Sequence, residues 1–185
     1  MKLFKNIKKW LENQEHLFYL FLLILIVPNI ILCFTEPMPV VAKVCNVLLP
    51  FAFYYLLMTL SRNCGKMFWI LFLFIFFGAF QIVLLYLFGQ SIIAVDMFLN
   101  LVTTNSSEAM ELLDNLVPAL VSVIILYIPA LILAAISIIK KRKLSPEFIR
   151  RERKKAWIAL LIGFISLGAA YGLDKPVLEG YFIWL

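Results

Sequence analysis

The sequence has one histidine, His16, and three cysteines, Cys33, Cys45 and Cys64. A single histidine at the edge of an apolar run leaves no basis for a Ser/His/Asp set. The cysteines lack metal-ligand spacing, so no metal site is expected within the chain. Cys33 and Cys45 fall near one membrane face, but membrane-buried thiols are usually inert and no disulfide is expected. No glycine-rich phosphate loop follows a strand. Asp, Glu, Lys, Arg and His are missing from the interiors of the long apolar runs, where ion pumps and proton-coupled carriers need them. Five runs also provide no obvious paired halves for a transporter. These absences argue against catalysis by this chain alone and against coupled transport.

What is abundant is apolar surface. Of 185 residues, 64% are hydrophobic, while glycine and proline number only 7 and 8. That composition lies outside the usual soluble range. Uninterrupted apolar runs make the assignment specific, because crossing the hydrocarbon takes about 20 helical residues with every backbone group paired internally. The fold class expected is an all-α membrane protein: a bundle of five transmembrane helices, an N-terminal amphipathic helix, and a periplasmic helix between spans 3 and 4. The five-span domain covers residues 1–173, and residues 174–185 begin an outer-face linker.

Met1 to Glu15 alternates Lys2, Lys5, Lys8 and Lys9 with Leu3, Phe4, Ile7, Trp10 and Leu11 at helical spacing, which predicts an interfacial helix. Leu17 to Phe34 is the first span. A signal peptide is set aside because no small-x-small cleavage site follows and Leu32 before Cys33 spoils a lipoprotein site. Glu36-Pro37-Met38-Pro39 makes the first outer loop. Leu60 closes a second span from Val44, with Lys43 placed to snorkel. Met67 to Phe88 is the third span, with Trp69 and Tyr86 near its ends. Leu116 to Ile139 is the fourth, where Pro118 and Pro129 predict bends. Ser145-Pro146-Glu147 restarts a helix. Ala156 to Leu173 is the fifth span, with the small pairs Ala159/Gly163 and Gly168/Gly172 suited to close helix contact. Asn29 beside Pro28 is expected to bridge helices or to pair a freed carbonyl.

The net charge of +6 follows from insertion topology and needs no nucleic acid. Four basic residues precede the first span, two lie between spans 2 and 3, and nine lie between spans 4 and 5, so fifteen of seventeen share one side. Only Lys43 and Lys175 fall on the other. The positive-inside rule then predicts a cytoplasmic amino terminus and an outer carboxyl terminus. Stop-transfer and anionic headgroup contact account for the basic run from Lys140 to Lys155, each base near the surface contributing about 1 kcal/mol.

One polar stretch, Asp96 to Leu113, stands apart and falls on the outer side. Asn105 and Glu108 have capping-box spacing, worth about 1 kcal/mol to a helix start that runs on toward the fourth span. Asn100 and Thr104 are equally able to satisfy loop backbone groups. The residues Asp96-Met97-Phe98-Leu99-Asn100 and Thr104-Asn105-Ser106-Ser107-Glu108-Ala109 resemble the membrane-domain segment of bacterial lipid A phosphoethanolamine transferases, in the alkaline phosphatase and sulfatase superfamily. The Asn, Thr and Glu of that family's motif fall on Asn100, Thr104 and Glu108, and the five-span topology is similar over the whole chain.

The resemblance implies that phosphatidylethanolamine is the donor lipid, that lipid A or a core sugar is the acceptor, and that Asn100, Thr104 and Glu108 bind the donor headgroup. It also implies a bacterial inner membrane, with the carboxyl terminus in the periplasm, and a periplasmic catalytic domain with a zinc-activated threonine. Neither that domain nor its zinc ligands are found in the sequence, so no cofactor belongs to this chain and it is expected to be inactive alone, as an excised piece or a truncated gene product. The topology resembles that of lipoteichoic acid synthases as well. A small non-enzymatic membrane protein that binds a partner through its outer helix is the competing class.

Overall fold

The computed structural model describes residues 10–35, 37–88 and 106–173, and among them all regular structure is helical. Six helices follow one another: α1 (Gln14–Thr35), α2 (Val40–Met58), α3 (Cys64–Ile70), α4 (Phe72–Phe88), α5 (Ser106–Ile139) and α6 (Pro146–Leu173). Segments Gln14–Thr35, Val40–Met58, Val117–Ile139 and Pro146–Gly172 are each long and apolar enough to cross a membrane, and α3 with α4 supplies a fifth crossing if the bent pair is one span. The protein is a multi-pass membrane bundle.

Large apolar side chains cover its outside, among them Phe72, Phe76, Ile125, Ile132, Leu161 and Phe164. In water such a surface would drive association, whereas in lipid it is the ordinary boundary. Lipid tails are as apolar as leucine, so helix association rests on packing and hydrogen bonds. Phe18 and Phe21 of α1 are fully buried. The Phe21 ring stacks on Phe68 at 4.5 Å, and the Phe18 ring meets Phe148 edge-on at 5.4 Å. These aromatics belong to a large core shared by all the helices. A smaller core of Leu32, Met38, Ala42, Cys45, Leu49 and Ala170 closes the bundle at the other end of α1.

The expected third span, 67–88, is not one straight helix. It divides at Leu71, where α3 and α4 meet at 62°. The chain stays hydrogen-bonded across the break, with the Leu71 N–H on the Met67 carbonyl at 3.0 Å and the Ile75 N–H on the Leu71 carbonyl at 3.1 Å. No proline or glycine sits at the break, and a closely packed glycine lies on either side of it. A Cβ on Gly65 would lie 2.3 Å from the Ala134 carbonyl oxygen, and one on Gly78 would lie 3.2 Å from the Tyr127 hydroxyl. The bend at Leu71 lies between these two close approaches to α5.

Other boundaries shift less. The second span begins four residues earlier than expected, directly after Pro39, whose extended ψ of 149° leads into α2. Lys43 thus falls in the first turn. Residues 10–12 are helical, but Asn13 breaks the run and its Oδ1 accepts the Glu15 N–H at 2.9 Å, so α1 begins at Gln14. The rest of the expected interfacial helix, residues 1–9, lies outside the described residues. So does the expected linker, residues 174–185.

α5 runs without interruption through Pro118 and Pro129 to Ile139. Ser145 caps α6 as expected, its Oγ accepting the Phe148 N–H at 3.1 Å. Gly163 packs on Leu49, where a Cβ would meet Cδ1 at 3.1 Å, but Gly168 and Gly172 have nothing within 4 Å. The second small pair makes no close helix contact, because α6 meets its neighbours on the Gly163 side.

Candidate functional site

Of the three residues expected to hold a lipid headgroup, Asn100 and Thr104 lie outside the described residues, as does the segment 90–105 around them. Glu108 lies in the first turn of α5. The apolar part of α5, Val117–Ile139, matches the hydrocarbon, and residues 106–116 extend the same helix about 16 Å further. A group on that first turn is carried by a rod that is continuous with a membrane span.

The described polar chemistry gathers mostly at the opposite end. The connections that follow α2 and α5 lie side by side there, with the Leu144 N–H donating to the Arg62 carbonyl at 2.7 Å and Arg62 Nε to the Leu144 carbonyl at 3.1 Å. Asn63 acts twice. Its Oδ1 accepts the Lys66 N–H at 2.8 Å and caps α3, while its Nδ2 donates to the Ser137 and Arg142 carbonyls at 3.2 and 2.9 Å. Arg142 Nη1 reaches the Glu12 carbonyl at 3.3 Å. The two described basic connections and the residues just ahead of α1 therefore meet at one end, called the basic end below. The other is the far end.

α5 stops at the basic end through backbone bonds. The Arg142 N–H donates to the Ser137 carbonyl at 3.1 Å and the Lys141 N–H to the Ile138 carbonyl at 2.9 Å. Lys141 takes a φ of 50° to close this turn, a conformation that glycine more commonly supplies.

Within the basic segment the structure isolates one acid that sequence reasoning passed over. Glu152 is fully buried although Arg151, Arg153, Lys154 and Lys155 surround it in sequence. Its carboxylate accepts from the Tyr55 hydroxyl of α2, from Arg151 Nε at 2.7 Å and from Lys155 Nζ at 3.1 Å. The signal was in the helical phase: Phe148, Glu152 and Ala156 recur every four residues, and all three are buried. Three donors saturate this carboxylate, which suits it to lock α6 onto α2 and leaves it no free lone-pair direction for a substrate.

Between the ends, α1 and α2 are joined inside the bundle. Asn46 Nδ2 donates to the Asn29 carbonyl at 3.0 Å, and Asn29 Nδ2 donates to Asn46 Oδ1 at 3.4 Å. Asn29 thus bridges helices as expected. Cys33 and Cys45 are both free thiols, and Cys33 Sγ donates to the Lys43 carbonyl at 3.4 Å. Among the described residues no three His, Cys, Asp or Glu side chains come together to hold a metal ion. His16 stacks on Trp10 at 4.9 Å between ring centroids. Compared with protein-family models, curated proteins and solved structures, the chain has no significant match in any of the three.

Proposed function

We propose that this chain is the membrane domain of a phosphoethanolamine transferase and that it holds phosphatidylethanolamine by its headgroup at the far end of the bundle. The observation that carries the reading is the segment from Asp96 to Ala109, with Asn100 and Glu108 eight residues apart and Thr104 midway. The multi-span bundle supports it. So does the continuity of α5, which joins the start of the motif helix directly to a membrane span.

The residue chemistry suits a zwitterionic headgroup. Glu108 offers a carboxylate to the ethanolamine ammonium, and the amide of Asn100 and hydroxyl of Thr104 offer donors to phosphate oxygens. The positive-inside rule puts the basic end in the cytoplasm and the far end in the periplasm of a bacterial inner membrane. A partner domain of the alkaline phosphatase type would supply the nucleophile and zinc. The described residues do not fit a zinc ion, so this chain's own part is to anchor, bind and present.

The test is lipid retention by the purified chain, read by native mass spectrometry against phosphatidylethanolamine and phosphatidylglycerol. Glu108→Gln and Asn100→Ala are each expected to weaken phosphatidylethanolamine binding about tenfold, the value of one charge-assisted hydrogen bond. Unchanged retention in both variants would remove these residues from the site. Phosphatidylglycerol retention that depends on the same residues would instead favour a lipoteichoic acid synthase-like donor.

A further inference from the structure

Helix α6 presents two different faces at the basic end. On one, Glu152 forms ion pairs with Arg151 and Lys155. On the other, Arg150, Arg153 and Lys154 line a cavity of about 400 Å³ together with Arg62, Ile149 and Trp157. Arg62 comes from a different part of the chain, the connection after α2, which the bonds to Leu144 hold in place. Among the described residues no carboxylate lies within ion-pair distance of any of the four cations, since the ion pairs there all converge on Glu152. Arg153 is fixed by a 2.6 Å hydrogen bond from Nη2 to the Thr59 carbonyl.

The chemistry of the cavity changes along the helix. Its floor includes the buried Ile149, and Trp157 stands at its edge, 58% exposed, where an indole ring favours the membrane interface. Arg150, Arg153, Lys154 and Trp157 share a helical stripe that continues, at spacings of four and three, through the exposed Leu161 and Phe164. Four positive charges therefore pass directly into a lipid-facing apolar track. A soluble anion would use only the first part. A volume near 400 Å³ falls in the range of small-ligand sites.

We infer that this groove is a binding site for one acidic glycerophospholipid of the leaflet at the basic end. Arg62, Arg150 and Lys154 take its phosphate, and one acyl chain lies along Trp157, Leu161 and Phe164. The site is independent of the headgroup site at the far end. It differs from general surface attraction in being a shaped recess whose cations come from two chain segments.

Native mass spectrometry of the purified full chain in detergent, titrated with phosphatidylglycerol, tests this inference. Arg150→Gln with Lys154→Gln removes two cations from the groove without touching Glu152 or the Arg153 bond. It is expected to weaken binding of the first phosphatidylglycerol about thirtyfold, from roughly one surface-charge contribution each. The control, Lys140→Gln with Lys143→Gln, makes the same change of charge outside the groove and should alter binding less than about threefold. Circular dichroism confirms that both proteins remain folded. Trp157→Ala, which keeps every charge, should also weaken binding of the first lipid. Equal losses in the two charge pairs would reduce the site to nonspecific attraction. Displacement of the lipid by excess inorganic phosphate would make the ligand a soluble anion, and no loss in the groove variant would overturn the site altogether.

Discussion

The two ends of the bundle are built differently. At the basic end three chain connections are stitched by backbone and side-chain hydrogen bonds, and buried aromatic rings from α1, α3 and α6 fill the core. At the far end the described core is smaller and mostly aliphatic, and Gly168 and Gly172 have no described neighbour within 4 Å. In lipid, where packing and hydrogen bonds replace the hydrophobic effect between helices, the described contacts that anchor the bundle are concentrated at the basic end. The anchored end fixes the helices, and the proposed donor site is at the other.

Substitutions at the two ends should separate them. The largest effect is expected from Gly65→Ala, because the new methyl would meet a backbone carbonyl at 2.3 Å that cannot move aside. A loss of about 3 kcal/mol, at the upper end for overpacking, should appear as a lower midpoint of unfolding in detergent. Glu152→Ala comes next. It leaves the Tyr55 hydroxyl unpartnered and strands Arg151 and Lys155, but those two side chains are 60% and 54% exposed and water takes up part of the loss. About 2 kcal/mol is expected, below the range for fully buried pairs. Glu152→Gln should recover part of it by still accepting from Tyr55.

Effects toward the far end should be smaller. Asn46→Leu removes both hydrogen bonds to Asn29 and should cost about 1 kcal/mol, the scale measured for polar contacts between membrane helices. Gly168→Ala should be stabilising by about 0.5 kcal/mol, since a helical glycine gives way to alanine in open space. A Gly168→Ala protein as damaged as Gly65→Ala would erase the contrast between the ends. Unfolding midpoints of all five variants in one detergent provide the comparison.

Much of this architecture could be read from the residues. Apolar runs located the membrane helices, Ser145 announced the start of α6, and charge counting gathered the basic connections that the hydrogen bonds of Arg62 to Leu144 and of Asn63 to Arg142 bring together. Leu71 could not be read in this way. Its neighbours are uniformly apolar, and no proline or glycine at the break marks the bend in the residues themselves. Glu152 was concealed by composition, because five nearby cations suggested a solvated segment while its own phase pointed inward. The expected headgroup residues stand apart from both cases: Asn100 and Thr104 lie outside the described residues, so the motif rests on sequence resemblance and awaits the lipid assay.

The uninterrupted course of α5 has a mechanical consequence. Gly65 against Ala134, the Ser137 hydroxyl on Gln14 Oε1 at 2.7 Å and the turn at Lys141 hold the basic end of this helix, Tyr127 packs against Gly78 at mid-length, and Ala119 is buried as well. About 20 Å of helix lies between Ala119 and Ser106, so a rotation of about 5° at Ala119 would move that tip through about 2 Å, enough to stretch a hydrogen bond beyond its range. A small shift in the buried part of the helix is thereby carried outward to the turn that bears Glu108, one of the proposed headgroup residues.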